Sequence, residues 1–271
     1  MMWHFAGQPR IASALVKAGL LTALAGMSAT SAQAQDAKTI LKRMEDLYKN
    51  AKTFQGTVTV RQQGKDQQGK AVSTTSTQQV RYLGPNKFVM DMKVTATGSI
   101  AAAAAKESRT VTCDGKNVYE YRPAIKQYAK RPIRSSVTLM ELFGALMPNP
   151  DMPGISLGAP ITERGRAAYL VLIKLAPPPN LPPEQKKQAE ALLKTMKPVQ
   201  VVIDKQNFQL LRLTSGNAQG SREVVMEGQQ FGGAIPASVF NFTPPPGSKE
   251  FVPPPPVPNP GGTPQPGGPG R

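Results

Sequence analysis

The sequence of 271 residues has one cysteine, one histidine and one tryptophan, and the last two stand near its start as His4 and Trp3. Each scarcity excludes a chemistry. With no imidazole in the body of the chain there is no Ser-His-Asp triad, no Cys-His pair and no His-ligated zinc. A lone Cys113 makes no intramolecular disulfide and no multi-thiolate metal site. It falls beside Asp114-Gly115 with no histidine to activate it, and reads as a buried, inert thiol. Glycine-rich phosphate loops are missing, the glycines falling in turns and in the C-terminal tail. Acids are few, 17 against 33 Lys and Arg for a formal net charge of +16. Their spacing matches neither a metal loop nor a glycosidase pair. The expectation is a binding protein rather than an enzyme, with no cofactor, no metal and no catalytic residues.

What is present begins with an export pattern. Arg10 and Lys17 lead into an apolar run from Ala18 to Met27, and Ala32-Gln33-Ala34 supplies small-x-small cleavage spacing. Residues 1–34 are therefore read as a signal peptide and Gln35 as the mature N-terminus. The run is shorter than the roughly 20 residues that span a bilayer, and no cysteine near the cleavage position offers a lipid anchor. A monomer free in the periplasm is expected. Export takes the chain away from nucleic acid, and its basic residues lack interleaved aromatics.

Composition also marks the other end. Residues 244–271 hold 12 Pro and 6 Gly, with Phe251 as the one aromatic. Such a segment buries too little apolar surface to offset its ordering entropy, so residues 249–271 are read as a Pro/Gly-rich disordered tail. It serves either as a spacer or partner ligand or as an inert end. Between the two termini, residues 35–248 suit one domain.

That domain reads as mainly β with helices. Ile40, Leu41, Met44, Leu47 and Tyr48 recur at helical spacing within Asp36 to Lys52. Strand patterns follow at Thr57–Gln62, Thr74–Leu83, Lys87–Val94, Arg109–Cys113, Val118–Tyr121 and Lys126–Arg131. They resume at Ile161–Arg164, Tyr169–Leu175, Val199–Asp204, Phe208–Thr214, Arg222–Glu227 and Val239–Phe242. Asp114-Gly115 between two of them suits a tight hairpin. Two further helices are expected, Thr138 to Met147 behind a Thr138-x-x-Glu141 capping box, and Glu184 to Met196 behind Pro182-Pro183. Thr97 to Ser108, with alanines at 101–105, reads as a loop or short helix. About eleven strands in one antiparallel sheet, curled over its apolar face and closed by helices, make a half-open barrel.

Candidate functional residues come from the apolar pattern. One face of Lys87–Val94 carries Phe88, Met90, Met92 and Val94. Unbranched methionines repack around varied shapes and suit flexible lipid chains, although such a face also serves as ordinary core. The helix at 139–147 shows Leu139, Met140, Phe143, Leu146 and Met147 along one stripe between Pro/Gly-rich segments. That arrangement fits a hinged lid, and equally a packed core helix. Between Glu120 and Glu141 stand Arg122, Lys126, Lys130, Arg131 and Arg134 without an acid. This run is either a solvated strand face or a contact for anionic headgroups or an acidic partner.

Four segments together resemble the periplasmic outer-membrane lipoprotein carriers, the LolA-like family. They are the helix ending in Lys52-Thr-Phe54, the run Tyr82-Leu-Gly-Pro-Asn-Lys-Phe88, the stretch Val111-Thr-Cys-Asp-Gly-Lys-Asn-Val-Tyr-Glu-Tyr-Arg-Pro123, and Val239-Phe-Asn-Phe-Thr-Pro-Pro-Pro-Gly247. The resemblance implies a half-open barrel holding acyl chains of lipoproteins or lipids under the 139–147 lid. It implies cargo moved from an inner-membrane ABC-type transporter to an outer-membrane acceptor. It also implies a lid governed by an Arg just before the Pro of the second segment, where this chain has Gly84. Either Arg81 or Lys87 does that work, or the lid is switched differently. The insertion Pro177–Lys197 is a second departure. An envelope-stress sensor or regulatory lipid-binding protein on the same scaffold is the alternative, and a structural envelope protein with a filled barrel is a third.

Overall fold

The computed structural model describes residues 28–66, 68–144, 146–178 and 180–252. Most of the expected export signal and the tail from residue 253 onward lie outside the described residues. The chain opens with α1 (Ser28–Lys49), followed by β1 (Thr53–Lys65), β2 (Ala71–Leu83) and β3 (Lys87–Thr97). The alanine run is α2 (Ala101–Ala105), then come β4 (Arg109–Asp114), β5 (Asn117–Arg122), β6 (Gln127–Pro132) and α3 (Leu139–Phe143). The second half holds β7 (Ile155–Leu157), β8 (Ile161–Glu163), β9 (Arg166–Ile173), α4 (Pro183–Lys194), β10 (Val199–Asp204), β11 (Leu210–Asn217), β12 (Gly220–Phe231) and β13 (Lys249–Glu250).

The strands form one curled sheet in the order β13-β6-β5-β4-β3-β2-β1-β12-β11-β10-β9-β7, with β8 also on β9. Every pairing is antiparallel except β13 on β6. The sheet does not close on itself, so the architecture is the half-open, mainly β one that the alternation predicts. Tight turns set its register. At the β4–β5 hairpin Gly115 takes φ +100°, and the Asp114 carboxylate accepts N–H bonds from Lys116 and Asn117 at 2.7 Å each.

Alternation along the strands separates an inner face from an outer one. Phe54, Tyr82, Phe88, Cys113 and Val118 stand opposite one another across β1 to β5 on the inner face. Val224, Leu213, Val201 and Val171 continue that face across β12 to β9. α1 lays Ala37, Ile40, Leu41, Met44 and Tyr48 into the same apolar cluster. Its 3.6-residue spacing supplies the apolar stripe, and the helix packs beside β7 and α3.

Four expectations are corrected. Val239–Phe242 is not a strand but a 3-10 turn, Ala237–Phe240, because Pro236 opens it and Pro244–Pro246 cannot donate to a ladder. This turn lies against β3 and β4, and Phe242 stacks on outer-face Tyr119 at 4.8 Å. The tail does not begin at Lys249. There β13 adds to β6, the Lys249 N–H donating to Lys126 at 3.0 Å and the Phe251 N–H to Tyr128 at 2.7 Å. Phe208 falls outside β11 because it adopts φ +58°. The helix expected over 138–147 is five residues long, from 139 to 143, and one further turn follows it, with the Leu146 N–H on the Phe143 carbonyl. Ile155–Leu157 is a strand that the pattern did not announce. α4 forms as expected but buries none of its residues and leaves Leu192 45% exposed.

Candidate functional site

Where α1 ends, the inner face closes on an aromatic cluster. Tyr48 comes from α1, Phe54 from β1, Phe231 from β12 and Phe143 from α3. Phe143 meets Phe54 edge-on at 5.4 Å between centroids and Tyr48 at 6.0 Å. Phe231 meets the same two rings at 5.1 and 5.3 Å. The Tyr48 hydroxyl accepts the Leu210 N–H at 3.2 Å and donates to the Gln229 side chain, whose amide in turn donates to the Leu210 carbonyl at 2.7 Å. Burial pushes that phenol well above its ordinary range, against a smaller lowering by the Leu210 bond. These bonds tie α1 to β11 and β12, which makes that side of the cluster a fixed wall.

The other side is a short cover. α3 has a complete capping box, the Glu141 N–H donating to Thr138 Oγ1 at 3.2 Å and the Thr138 N–H to Glu141 Oε2 at 2.7 Å. Leu139, Phe143 and Met147 are buried in the inner-face cluster, and Met140 and Leu146 pack half-buried against it. Phe88 is buried in the same cluster, with Met90 half-buried beside it. Seven of the eight expected lipid-contact residues thus share one cluster. Met92 lies farther along β3 on the same face, half-buried but outside that cluster.

The expected lid-switch residues divide differently. Arg81 and Lys87 alternate with Tyr82 and Phe88, so they lie on the outer face and not under the cover. Arg81 donates to Asp91 Oδ2 at 2.9 Å, and Thr110 holds the other oxygen of that carboxylate at 3.0 Å. A Cβ placed on Gly115 would meet Lys87 Cε at 3.5 Å, which puts the lysine stem against the β4–β5 turn.

The groups that do hold the cover are Asn86 and Tyr82. The Val137 N–H donates to Asn86 Oδ1 at 2.6 Å, and the Asn86 N–H returns a bond to the Val137 carbonyl at 3.3 Å. The Tyr82 hydroxyl reaches the same carbonyl at 3.5 Å. Asn86 has φ +70°, a conformation that asparagine tolerates better than most residues. Gly84 has a role of its own. A Cβ there would stand 2.6 Å from the Tyr82 hydroxyl, so the position must lack a side chain for Tyr82 to reach Val137. The sequence pointed to this turn but not to these atoms.

Cys113 lies on the inner face opposite Phe88, fully buried. Burial pushes its thiol up, as does the Asp114 carboxylate more weakly, while a bond from the Gly115 backbone lowers it. If segment 137–147 lifts as a lid, a thiol in this cluster becomes reactive. Asn86→Ala removes one of the bonds at Val137, worth about 0.5–1.5 kcal/mol net. Alkylation of Cys113 under native conditions should then quicken by about threefold to tenfold. An unchanged rate would show that the Asn86 bond does not hold the cover down.

Residues 37–143, from α1 to the end of α3, match a family model described as a predicted periplasmic protein (DUF2092). No curated protein matches the sequence. Among solved structures, an uncharacterized conserved protein from Thermus thermophilus aligns at 13% identity with TM-score 0.44, covering 80% of this chain and 99% of its own. The lipoprotein LppX of Mycobacterium tuberculosis aligns at 12% identity with TM-score 0.35, covering 75% and 98%. A LolA superfamily protein from Nitrosomonas europaea aligns at 11% identity with TM-score 0.31, covering 76% and 97%. Over residues 37–143, which include β1 to β6 and α3, the chain is similar to the DUF2092 family of predicted periplasmic proteins.

Proposed function

We propose that this chain is a periplasmic carrier that takes acyl chains of lipids or lipoproteins onto the inner face of its sheet, beneath the segment 137–147, and shuttles them from the inner to the outer membrane. The observation that carries the reading is the cover itself. Seven apolar side chains of the segment 137–147 pack in the cluster, yet the hydrogen bonds that tie it to β2 and the turn after it fall at its start, at Val137 and Leu139. A wall fixed by the buried Tyr48 bonds and a cover hydrogen-bonded only near its start, among the described residues, are what a reversible apolar site requires.

The energetics favour such a design. Each CH₂ taken from lipid into water costs about 0.8 kcal/mol, so a multi-acyl cargo needs enclosure throughout its transit. The side chains that fill the cluster in this conformation stand in for the cargo and keep the apolar face from water until exchange. Release follows from differential affinity for partners at the two membranes, an ABC-type transporter and an outer-membrane acceptor. The export pattern at residues 1–34 and the periplasmic description of the matching family support the compartment.

Vesicle-to-vesicle transfer tests the shuttle step. The purified protein should speed movement of a fluorescent diacylated peptide from donor to acceptor vesicles kept apart by a porous membrane. Transfer no faster than in buffer would contradict the carrier reading.

A further inference from the structure

Arginines on the sheet mostly face acids. On the outer face Arg61 meets Glu223, Arg81 meets Asp91 and Arg212 meets Glu163, each at 2.9 Å. On the inner face Arg122 meets Glu120 at 3.0 Å and Arg109 approaches the same carboxylate at 4.0 Å. Arg222 is different. It stands in register between Gln62 of β1 and Ser215 of β11. Strand alternation puts it on the inner face, two residues from the fully buried Val224.

Arg222 Nε is buried without a hydrogen-bond partner, and among the described residues no carboxylate pairs with its guanidinium. Ser76 Oγ, in the neighbouring inner-face row opposite Val60, is likewise buried and unpartnered. Desolvation lowers the guanidinium pKa, in line with a half-buried cation on the inner face. A desolvated charge without a partner destabilises a fold and is relieved by an anion brought to it. The row Val60, Ser76 and Val94, joined along β3 to Met92 and Met90, leads up to this position.

We propose that the inner face takes a cargo with a phosphate-bearing head, the acyl chains lying along Val94, Met92 and Met90 and the anionic head meeting Arg222. This rests on the carrier reading and names its ligand class. Guanidinium and phosphate form charge-assisted, often bidentate hydrogen bonds, and the Arg222 fork offers such parallel donors.

Binding of dioleoyl phosphatidylglycerol, dioleoylglycerol and inorganic phosphate to the purified protein, Arg222→Gln and Arg222→Lys tests this by native mass spectrometry. The unaltered protein should prefer phosphatidylglycerol to dioleoylglycerol by about tenfold or more, as a charge-assisted bond of 1.5–3 kcal/mol implies. Arg222→Gln should lose that preference while keeping dioleoylglycerol, and Arg222→Lys should keep part of it. The ligand-free Gln variant should melt at the same temperature as the parent or higher, since an unmatched cation is gone. Equal affinity for the two lipids, or a preference that survives Arg222→Gln, would overturn the proposal. A Gln variant melting several degrees lower would make Arg222 structural and overturn it too. Inorganic phosphate binding as tightly as phosphatidylglycerol would assign the site to a free anion instead. Failure of both lipids to bind would contradict the carrier reading itself.

Discussion

Phe54→Ala is expected to lower the free energy of unfolding by about 3–5 kcal/mol, measured by urea titration with an unchanged slope. Phe54 is fully buried on β1, the strand that joins the two halves of the sheet between β2 and β12. Its ring touches Tyr48, Phe143 and Phe231, so truncation opens a void bordered by a helix, the cover and a second strand at once. Tyr48 cannot collapse into the void without giving up its bonds to Leu210 and Gln229. A loss below about 1 kcal/mol would mean that the cluster repacks freely, and that the wall is not fixed.

Phe143→Ser is expected to behave differently although Phe143 is just as well buried. A buried aromatic truncated in a rigid core loses about 3–5 kcal/mol. On the carrier reading proposed above, the cover detaches with the rest of the sheet intact, and residue 143 is then solvated whichever side chain it carries. The measured loss is capped by the free energy of that local opening, expected at about 1–2 kcal/mol. The missing stability reappears elsewhere. Cys113 alkylation should rise about tenfold or more, and acyl-chain affinity should fall by more than the stability change accounts for. Adding Met147→Ser should deepen both effects, since Met147 is buried in the same cluster. If binding loss simply tracked melting temperature across these variants, the segment would be ordinary core and not a cover.

The contrast between the two phenylalanines shows how far the sequence could be read. Both stood in plain apolar patterns, Phe54 at the helix-to-strand junction and Phe143 on a 139–147 stripe, and both are buried. Two-residue alternation put Phe88, Met90 and Met92 on one face, and the register confirms that face because a slip by one would turn every core residue outward. The capping box at Thr138 and Glu141 was legible for the same local reason, since both bonds form within four residues.

What the sequence hid depends on partners distant along the chain. Asn86 and Val137 are 51 residues apart, and the asparagine bond involves a backbone amide that no side-chain pattern announces. Arg81 attracted attention as a cation near Gly84, but alternation with Tyr82 places it on the outer face beside Asp91. Arg222 stood only as the first residue of the Arg222–Glu227 strand pattern. Only the register, with Gln62 and Ser215 as neighbours, sets it apart from arginines that have acids opposite. Val239–Phe242 carried strand-forming residues, and flanking prolines decided against a strand. The joining of Lys249 to β6 was masked by the prolines that follow it, whose missing N–H groups end the ladder after Phe251 rather than before it.

The most direct test of the account is native mass spectrometry of the protein purified gently from its own cell envelope, followed by extraction and analysis of anything bound. The account predicts an adduct of about one acylated, phosphate-bearing molecule per chain, released when Phe143 and Met147 are replaced by serine. A clean ligand-free mass, together with no uptake of added phosphatidylglycerol or diacylated peptide, would contradict it.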